Sequence, residues 1–316
     1  MSKKGEARRQ ARVRALAKIN LDLRVLGKRP DGYHELRTIF QTVSLADDID
    51  IAFTPGRKTV IELEDGLGIP DNLMLRAART ALEAMRRTGR VTIRLEKHIP
   101  MGAGLGGGSS DAAAVLLALP VLAGRRVDLP KLIDIARQLG SDVPFFLVGG
   151  TAVGIGRGEE LFPLPDRTAQ QGVVVAPGVH VDTAQAYRAL SPRLTSESQE
   201  NKMFSFQSQV WERGVGAPPV NDFETIVLEQ HPRLAEIKKR LVGAGASTAL
   251  MTGSGSALFG LFSDRNRISV ALQSWGAQRA FPVSFVTRSR YRRMWWRALE
   301  QHITGRTWPP QSRYAR

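Results

Sequence analysis

Apolar and polar residues alternate along 19–26 (INLDLRVL), the period-two signature of a half-buried strand. GKRPDGYH at 27–34 interrupts the alternation with Pro30 and Gly32, and strand-like runs resume at 38–45 (TIFQTVSL) and 49–53 (IDIAF). The period then changes. Residues 72–87 (NLMLRAARTALEAMRR) space their apolar positions for a helix, with Asp71 placed as N-cap and Gly89 just beyond the end. Alternation returns at 91–99 (VTIRLEKHI) and runs through PMGAGLGGGSS into DAAAVLLALPVL, a helix by its Ala and Leu content. LPKLIDIARQL at 129–139 predicts a further helix stopped at Gly140, followed by a loop and two short strands up to Leu164.

The second half opens on GVVVAPGV at 172–179, a buried strand that starts a second domain. Residues 195–220 are polar and patternless, as expected of a long surface connection. HPRLAEIKKRLVGAG at 231–245 is an amphipathic helix, and TALMTGSGSALFGLF at 248–262 reads as strand, glycine turn and strand. No repeat is present. Strands and helices intermix throughout, which predicts an α+β or α/β protein of two domains.

At 316 residues with 42% hydrophobic content, the chain can bury a core in each domain. No apolar run approaches the ~18–20 residues that cross a bilayer, so no membrane span is expected. The first residues are charged and lack the apolar centre of a secretory leader. With no cysteine there are no disulfides, thiolate nucleophiles, Cys-bound zinc or iron–sulfur clusters, in keeping with a cytoplasmic setting. The net charge of +15 would ordinarily point to a polyanionic partner. Its distribution argues otherwise. Residues 1–16 hold six Lys/Arg against one acid and residues 288–316 hold eight against one, so the tails carry twelve of the fifteen charges. The first tail is expected to be disordered. The Arg/Trp-rich second tail fits a helix lying on an acidic membrane or RNA surface, or a solvated or oligomer-contacting extension.

Chemistry is therefore sought in the middle. Gly102, Gly104, Gly106, Gly107 and Gly108 fall within seven residues, where they accept positive φ and let backbone approach a ligand. A helix starting directly behind them presents unpaired N–H groups and the positive end of its dipole. Ser109 and Ser110 add hydroxyl donors. Strand–GAGLGGGSS–helix thus predicts a phosphate cradle, with a flexible turn or tight helix–strand packing as the plain alternative. The P-loop pattern is absent because no Lys follows the glycines, and GAGLGG matches the dinucleotide fingerprint only formally. The protein-kinase HRD and DFG motifs are missing.

PMGAGLGGGSSDAAA resembles the phosphate-binding motif of the GHMP kinases, a group of ATP-dependent small-molecule kinases. AKINLDLRVLGKRPDGYHELRTIFQTVSLADDIDI, GSDVPFFLVGGTAVGIGRGEEL and MTGSGSALFGLF resemble segments of members of that family, in the same order. The likeness spans roughly residues 15–285. It implies a two-domain α+β GHMP kinase fold. An N-terminal ATP-binding domain would cover 17–165 and a smaller ferredoxin-like α/β domain 166–287, flanked by the tails 1–16 and 288–316.

The resemblance also implies roles for single residues. Lys18 and Asp142 match the catalytic pair, Asp142 to take the acceptor's proton and Lys18 to stabilise charge on the transferring group. From the residues alone, the plainer reading makes Asp142 a turn cap or surface residue and Lys18 a solvated cation. Pro100, Met101, Gly102, Ala103, Gly104, Leu105, Gly106, Gly107, Gly108, Ser109 and Ser110 would hold the ATP phosphates, with Asn72 and Lys97 toward the adenine. Asn20, Tyr33, His34, Thr183 and Tyr187 would meet the acceptor, Tyr33 and Tyr187 sandwiching a cytosine. Gly253 and Gly255 form a second glycine turn that would close the site, or simply a hairpin turn.

Mg²⁺ is expected with ATP. Its protein ligand is left unassigned, although Ser110 could approach it, and the five scattered His make no metal spacing. The implied reaction moves the ATP γ-phosphoryl group to the 2-hydroxyl of a cytidylyl-linked methylerythritol, on the non-mevalonate route to isoprenoid precursors. The partner is thus a small molecule, with no obligatory nucleic acid, and the protein a monomer or homodimer. The rivals are a GHMP kinase acting on mevalonate, homoserine or a sugar, and a basic nucleic-acid-binding protein without catalysis.

Overall fold

Two long strands organise the first half of the chain. In the computed structural model, which describes residues 7–69, 71–167, 170–194, 206, 218–275 and 280–315, β1 (Arg9–Lys28) and β2 (His34–Pro55) pair antiparallel along most of their length. The separate strands expected at 38–45 and 49–53 are one continuous strand. The polar Asp47 that divides them in sequence is buried and accepts the N–H groups of His98 and Ile99 at 2.6 and 2.7 Å. The register jumps between Leu16–Ala46 and Lys18–Thr42, where residues 43–45 of β2 bulge opposite Ala17 alone. The far edge of β2 carries β4 (Gly89–Glu96) on its second half and β5 (Thr151–Gly156) on its first. β3 (Val60–Glu64) lies parallel to β4 and β6 (Glu160–Pro163) antiparallel to β5, closing a six-stranded sheet.

Helices α1 (Leu73–Ala84), α2 (Gly107–Ala123), α3 (Leu129–Leu139) and α4 (Val143–Val148) share one core with this sheet. α2 is apolar on every side and buried from Ser110 to Ala123, as a helix must be when other elements surround it. Asn72, not Asp71, caps α1 and accepts from Met74 N–H; Asp71 takes a left-handed φ of +50°. Residues 143–148, expected as loop, are helical. Pro144 suits a first turn, where its missing N–H goes unused, and Phe145 and Phe146 are buried.

The second sheet joins β7 (Gln171–Val175), β8 (Thr248–Met251), β9 (Leu258–Phe262) and β10 (Ala280–Ser284) in the order β10–β7–β9–β8, all antiparallel. Helices α5 (Thr183–Leu190), α6 (Glu224–Gln230) and α7 (Pro232–Gly243) precede β8, and α8 (Arg265–Trp275) precedes β10. That βαββαβ pattern is ferredoxin-like. The strand expected within 172–179, ending in a turn, runs to Val175, ahead of Pro177. Most of the predicted surface connection lies outside the described residues. Ile19, Ile39 and Val43 of the first sheet pack on Val174, Phe259 and Phe285 around the second, joining the two layers.

Both tails differ from expectation. Arg9–Leu16 are the first half of β1, with Val13 and Leu16 buried; residues 1–6 lie outside the described set. The C-terminal stretch forms α9 (Arg288–Ala298), capped by Thr287, and joins the first core. Tyr291, Trp295 and Leu299 are buried there, and the Tyr291 hydroxyl donates to the Phe146 carbonyl. Trp308 donates its indole N–H to Leu147 at 2.9 Å, and Trp296 donates to Thr307 at 3.0 Å. Trp295 therefore faces protein, leaving the arginines at 290, 293 and 297 outside. The aromatic face needed by a membrane or base-stacking helix is already used. No helix among the described residues is long and apolar enough to cross a membrane.

Candidate active site

Lys18 sits opposite Thr42, just past the bulge of β2. Its N–H donates to the Leu105 carbonyl of the glycine loop at 3.0 Å, joining β1 to that loop. The ammonium donates to Asn20 Oδ1 at 2.8 Å, lies 3.4 Å from Asp142 Oδ2 and sits 5.4 Å over the Phe40 ring. Lys18 is 4% exposed and Asp142 32%, so a buried cation faces an accessible carboxylate. Asp142 stands at the N-cap of α4, yet its side chain makes no capping bond. Two buried phenyl rings follow it, and Tyr291 of α9 and Trp308 beyond it brace their helix through Phe146 and Leu147.

Asn20 is a junction. Its Oδ1 also accepts from Gly253 N–H at 2.9 Å and Thr252 Oγ1 at 3.1 Å, while Nδ2 donates to Thr38 at 2.8 Å. Expected to contact the acceptor, Asn20 here is buried and spends its amide on Lys18 and the second glycine turn. That turn and the first one pack face to face. A Cβ on Gly104 would stand 2.1 Å from the Thr252 carbonyl oxygen, and Gly104 already has φ +76°. Only glycine fits.

The glycine loop lines a hollow of about 370 Å³ from Pro100 through Ser109, together with Asn72 and Lys97. Ala103 and Leu105 turn their side chains into the core, so they offer only backbone; Met101 is exposed. Gly106 caps α2 with φ +70° and no side-chain bond. Ser109 borders the cleft, whereas Ser110 is buried and donates to the Leu16 carbonyl at 2.7 Å. Ser110, expected at the phosphates or the metal, has its hydroxyl proton engaged in this structure. Asn72 is occupied by its cap and by donation to Asp65 at 3.2 Å.

Lys97 reaches under the loop between two carboxylates, Asp47 at 2.6 Å and Asp111 at 2.7 Å. Asp111 Oδ1 has no hydrogen-bond partner. Burial pushes the Asp111 carboxyl up to about 7, Lys97 opposing and Asp47 adding to the rise. A carboxyl raised in the folded state takes up a proton on folding between its unfolded value and its folded one. Stability conferred below pH ~4 is then lost as pH climbs to about 7. Asp111→Asn is expected to remove about one proton of uptake from that window. Denaturant melts across pH 4–8 check it, and an unchanged pH slope contradicts the assignment.

On the other side of the loop a cleft of about 980 Å³ is bordered by Lys18, Asn20, Tyr33, His34, Asp142 and Thr183, among others. Gly102, Gly104 and Ser109 border both spaces. Tyr187 lies in the cleft wall, but its ring stacks on His34 (centroids 4.5 Å apart, planes at 20°) and meets Phe223 edge-on. The expected Tyr33–Tyr187 sandwich is therefore not preformed, because one turn of α5 brings both Tyr187 and Ser191 against His34. Burial, then Lys28, hold the His34 imidazole below its ordinary range, so it is neutral at pH 7. Its Nε2 lies 2.9 Å from Ser191 Oγ. Burial and then the Asp142 charge push the Tyr187 phenol up. Thr183 Oγ1 meets Ser254 Oγ at 2.7 Å.

Thr252, Ser254, Asn221 and Ser191 were not singled out in the sequence. Asn221 holds the second glycine turn through the Met251 and Gly253 carbonyls, both at 2.8 Å. The polar residues interleaved with glycine in TGSGS were the available signal for the first two. Asn221 and Ser191 had none. Among the described residues, the one cluster with metal-ligand spacing, Asp48, Glu96 and His98, lies at the surface beside Arg12 and outside both spaces.

Fold and site together define a GHMP kinase. The family description "GHMP kinases N terminal domain" matches residues 72–150 and "GHMP kinases C terminal" matches 208–279. A 4-diphosphocytidyl-2-C-methyl-D-erythritol kinase from Solibacter usitatus is 67% identical over 310 residues, covering 97% of this chain and 98% of the relative. The crystal structure of a 4-(cytidine 5'-diphospho)-2C-methyl-D-erythritol kinase superimposes with TM-score 0.72 at 40% identity, covering 87% of this chain and 98% of that one. A homoserine kinase from Cytophaga hutchinsonii, at 17% identity and TM-score 0.68 over 91% of this chain and 97% of its own, shares the fold. The chain belongs to the 4-diphosphocytidyl-2-C-methyl-D-erythritol kinase family.

Proposed function

We propose that this chain transfers the γ-phosphoryl group of ATP to the 2-hydroxyl of 4-diphosphocytidyl-2-C-methyl-D-erythritol, a step toward isoprenoid precursors by the non-mevalonate route. The observation that carries the mechanism is the Lys18–Asp142 pair, 3.4 Å apart where the glycine loop meets the acceptor cleft. The bared amides of the glycine loop and the α2 N-terminus bind the triphosphate. The Asp142 carboxylate, unspent on capping, accepts the proton of the attacking hydroxyl. The Lys18 ammonium, fixed by Asn20, neutralises charge that builds on the transferring group. Phosphoryl transfer asks for little more than such positioning and neutralisation.

Magnesium, when bound, supplies charge neutralisation on the β- and γ-phosphates. The Ser109 hydroxyl borders both spaces and would be the protein oxygen to meet it, which suits an ion that keeps most of its ligands as phosphate and water. Residues 17–165 form the ATP-binding unit and 166–287 complete the acceptor pocket, with the β1 start and α9 belonging to the first unit. Every group used lies on one chain, so the chemistry asks for neither nucleic acid nor a second copy. A cytoplasmic setting suits it.

Tyr33, His34 and Tyr187 select the cytidylyl group, with Tyr33 supplying the open stacking face. A coupled ADP-release assay over cytidylyl and non-cytidylyl alcohols tests the reading. Turnover is expected only with the cytidylyl-linked methylerythritol; higher kcat/KM with mevalonate or homoserine would sink it.

A further inference from the structure

The GIGRGEE segment contains one residue that the mechanism leaves unused. Arg157 stands at the tip of the β5–β6 hairpin, flanked by Gly156 (φ +70°) and Gly158 (φ +104°). Its guanidinium carbon lies 4.7 Å from the centroid of the Tyr33 ring, and both residues border the acceptor cleft. The arginine is itself held: the Glu159 carboxylate accepts its Nε at 3.2 Å and its backbone N–H at 2.8 Å.

Tyr33 needs such a partner. It is 55% exposed, in a loop where Gly32 has φ +86° and open space around it. Its backbone is anchored, the N–H donating to Asp31 at 3.1 Å and the carbonyl accepting from Arg29 at 2.7 Å. Arg157 is the partner its ring has among the described aromatic and cation contacts. A planar ring has two faces, and a guanidinium stacked on one leaves the other for a base while costing the ring its freedom to rotate.

We infer that Arg157, locked by Glu159, is a positioning residue that clamps Tyr33 as a preformed stacking platform and so sets affinity for the cytidylyl end of the acceptor. The inference rests on the acceptor reading given above for Tyr33. An exposed cation–ring contact of this kind is worth roughly a three-fold change in binding.

Steady-state kinetics of Arg157→Ala, Arg157→Lys, Tyr33→Ala and the double Tyr33→Ala/Arg157→Ala variant separate the possibilities. Arg157→Ala is expected to raise the acceptor KM about three-fold, leaving kcat and the ATP KM near wild type. Arg157→Lys, which keeps the cation, should recover at least half of that loss. In the Tyr33→Ala background the arginine substitution should add nothing, because the platform it clamps is gone. An unchanged or lower acceptor KM in Arg157→Ala overturns the inference. So does an Arg157→Lys no better than alanine, or an arginine effect that persists without Tyr33. If Tyr33→Ala itself leaves the acceptor KM unchanged, the acceptor reading of Tyr33 falls first and takes the clamp with it.

Discussion

Asp142→Asn is expected to lower kcat by roughly 10²–10⁴-fold while the ATP KM stays within about three-fold of wild type. The substitution keeps the shape of the side chain and an oxygen toward Lys18, but it removes the proton acceptor. Asp142 makes no capping bond for α4, so the helix that carries it should form unchanged. Asp142 is not among the residues that line the hollow beside the glycine loop, so the affinity for ATP should change little. Single-turnover measurements at saturating acceptor separate the chemical step from binding. A variant retaining more than about a tenth of wild-type turnover would remove Asp142 as the base.

The second large effect is expected far from the chemistry. Trp295→Ala should destabilise the fold by about 3–5 kcal/mol, the range for emptying a large aromatic site in a core. For a chain of this size that corresponds to a fall in Tm of roughly 10 °C. Trp295 is 2% exposed and packs with Tyr291 and Leu299 into the core that also holds α2 and α4. Through Phe146 and Leu147 the same extension supports the helix that begins at Asp142. A shift of less than about 2 °C in calorimetry would mean that α9 is an appendage after all.

The glycine loop announced itself because five glycines ahead of an Ala/Leu-rich helix have few other uses. Lys18 and Asp142 had no comparable local signal. A lysine beside a strand and an aspartate in a turn are ordinary, and only their likeness to family segments marked them. What makes them a pair is a register jump between β1 and β2 and the start of a six-residue helix, both set by long-range contacts. The same cause explains the misses. Asp47 broke a strand pattern in sequence, yet in the fold it is a buried acceptor serving β4 and Lys97, so the strand continues. Arginine-rich tails suggested disorder or a polyanion surface; the apolar residues Val13, Tyr291 and Trp295 decide that residues 9–16 and 288–298 are folded. Hydrophobic periodicity outweighed charge.

The most direct test is a crystal structure with a non-hydrolysable ATP analogue and the cytidylyl acceptor bound together. The triphosphate should lie against the backbone of Gly104–Ser109, with the acceptor's 2-hydroxyl about 2.6–3.2 Å from an Asp142 carboxylate oxygen. A terminal phosphate held elsewhere, or a hydroxyl that Asp142 cannot reach, would contradict the account.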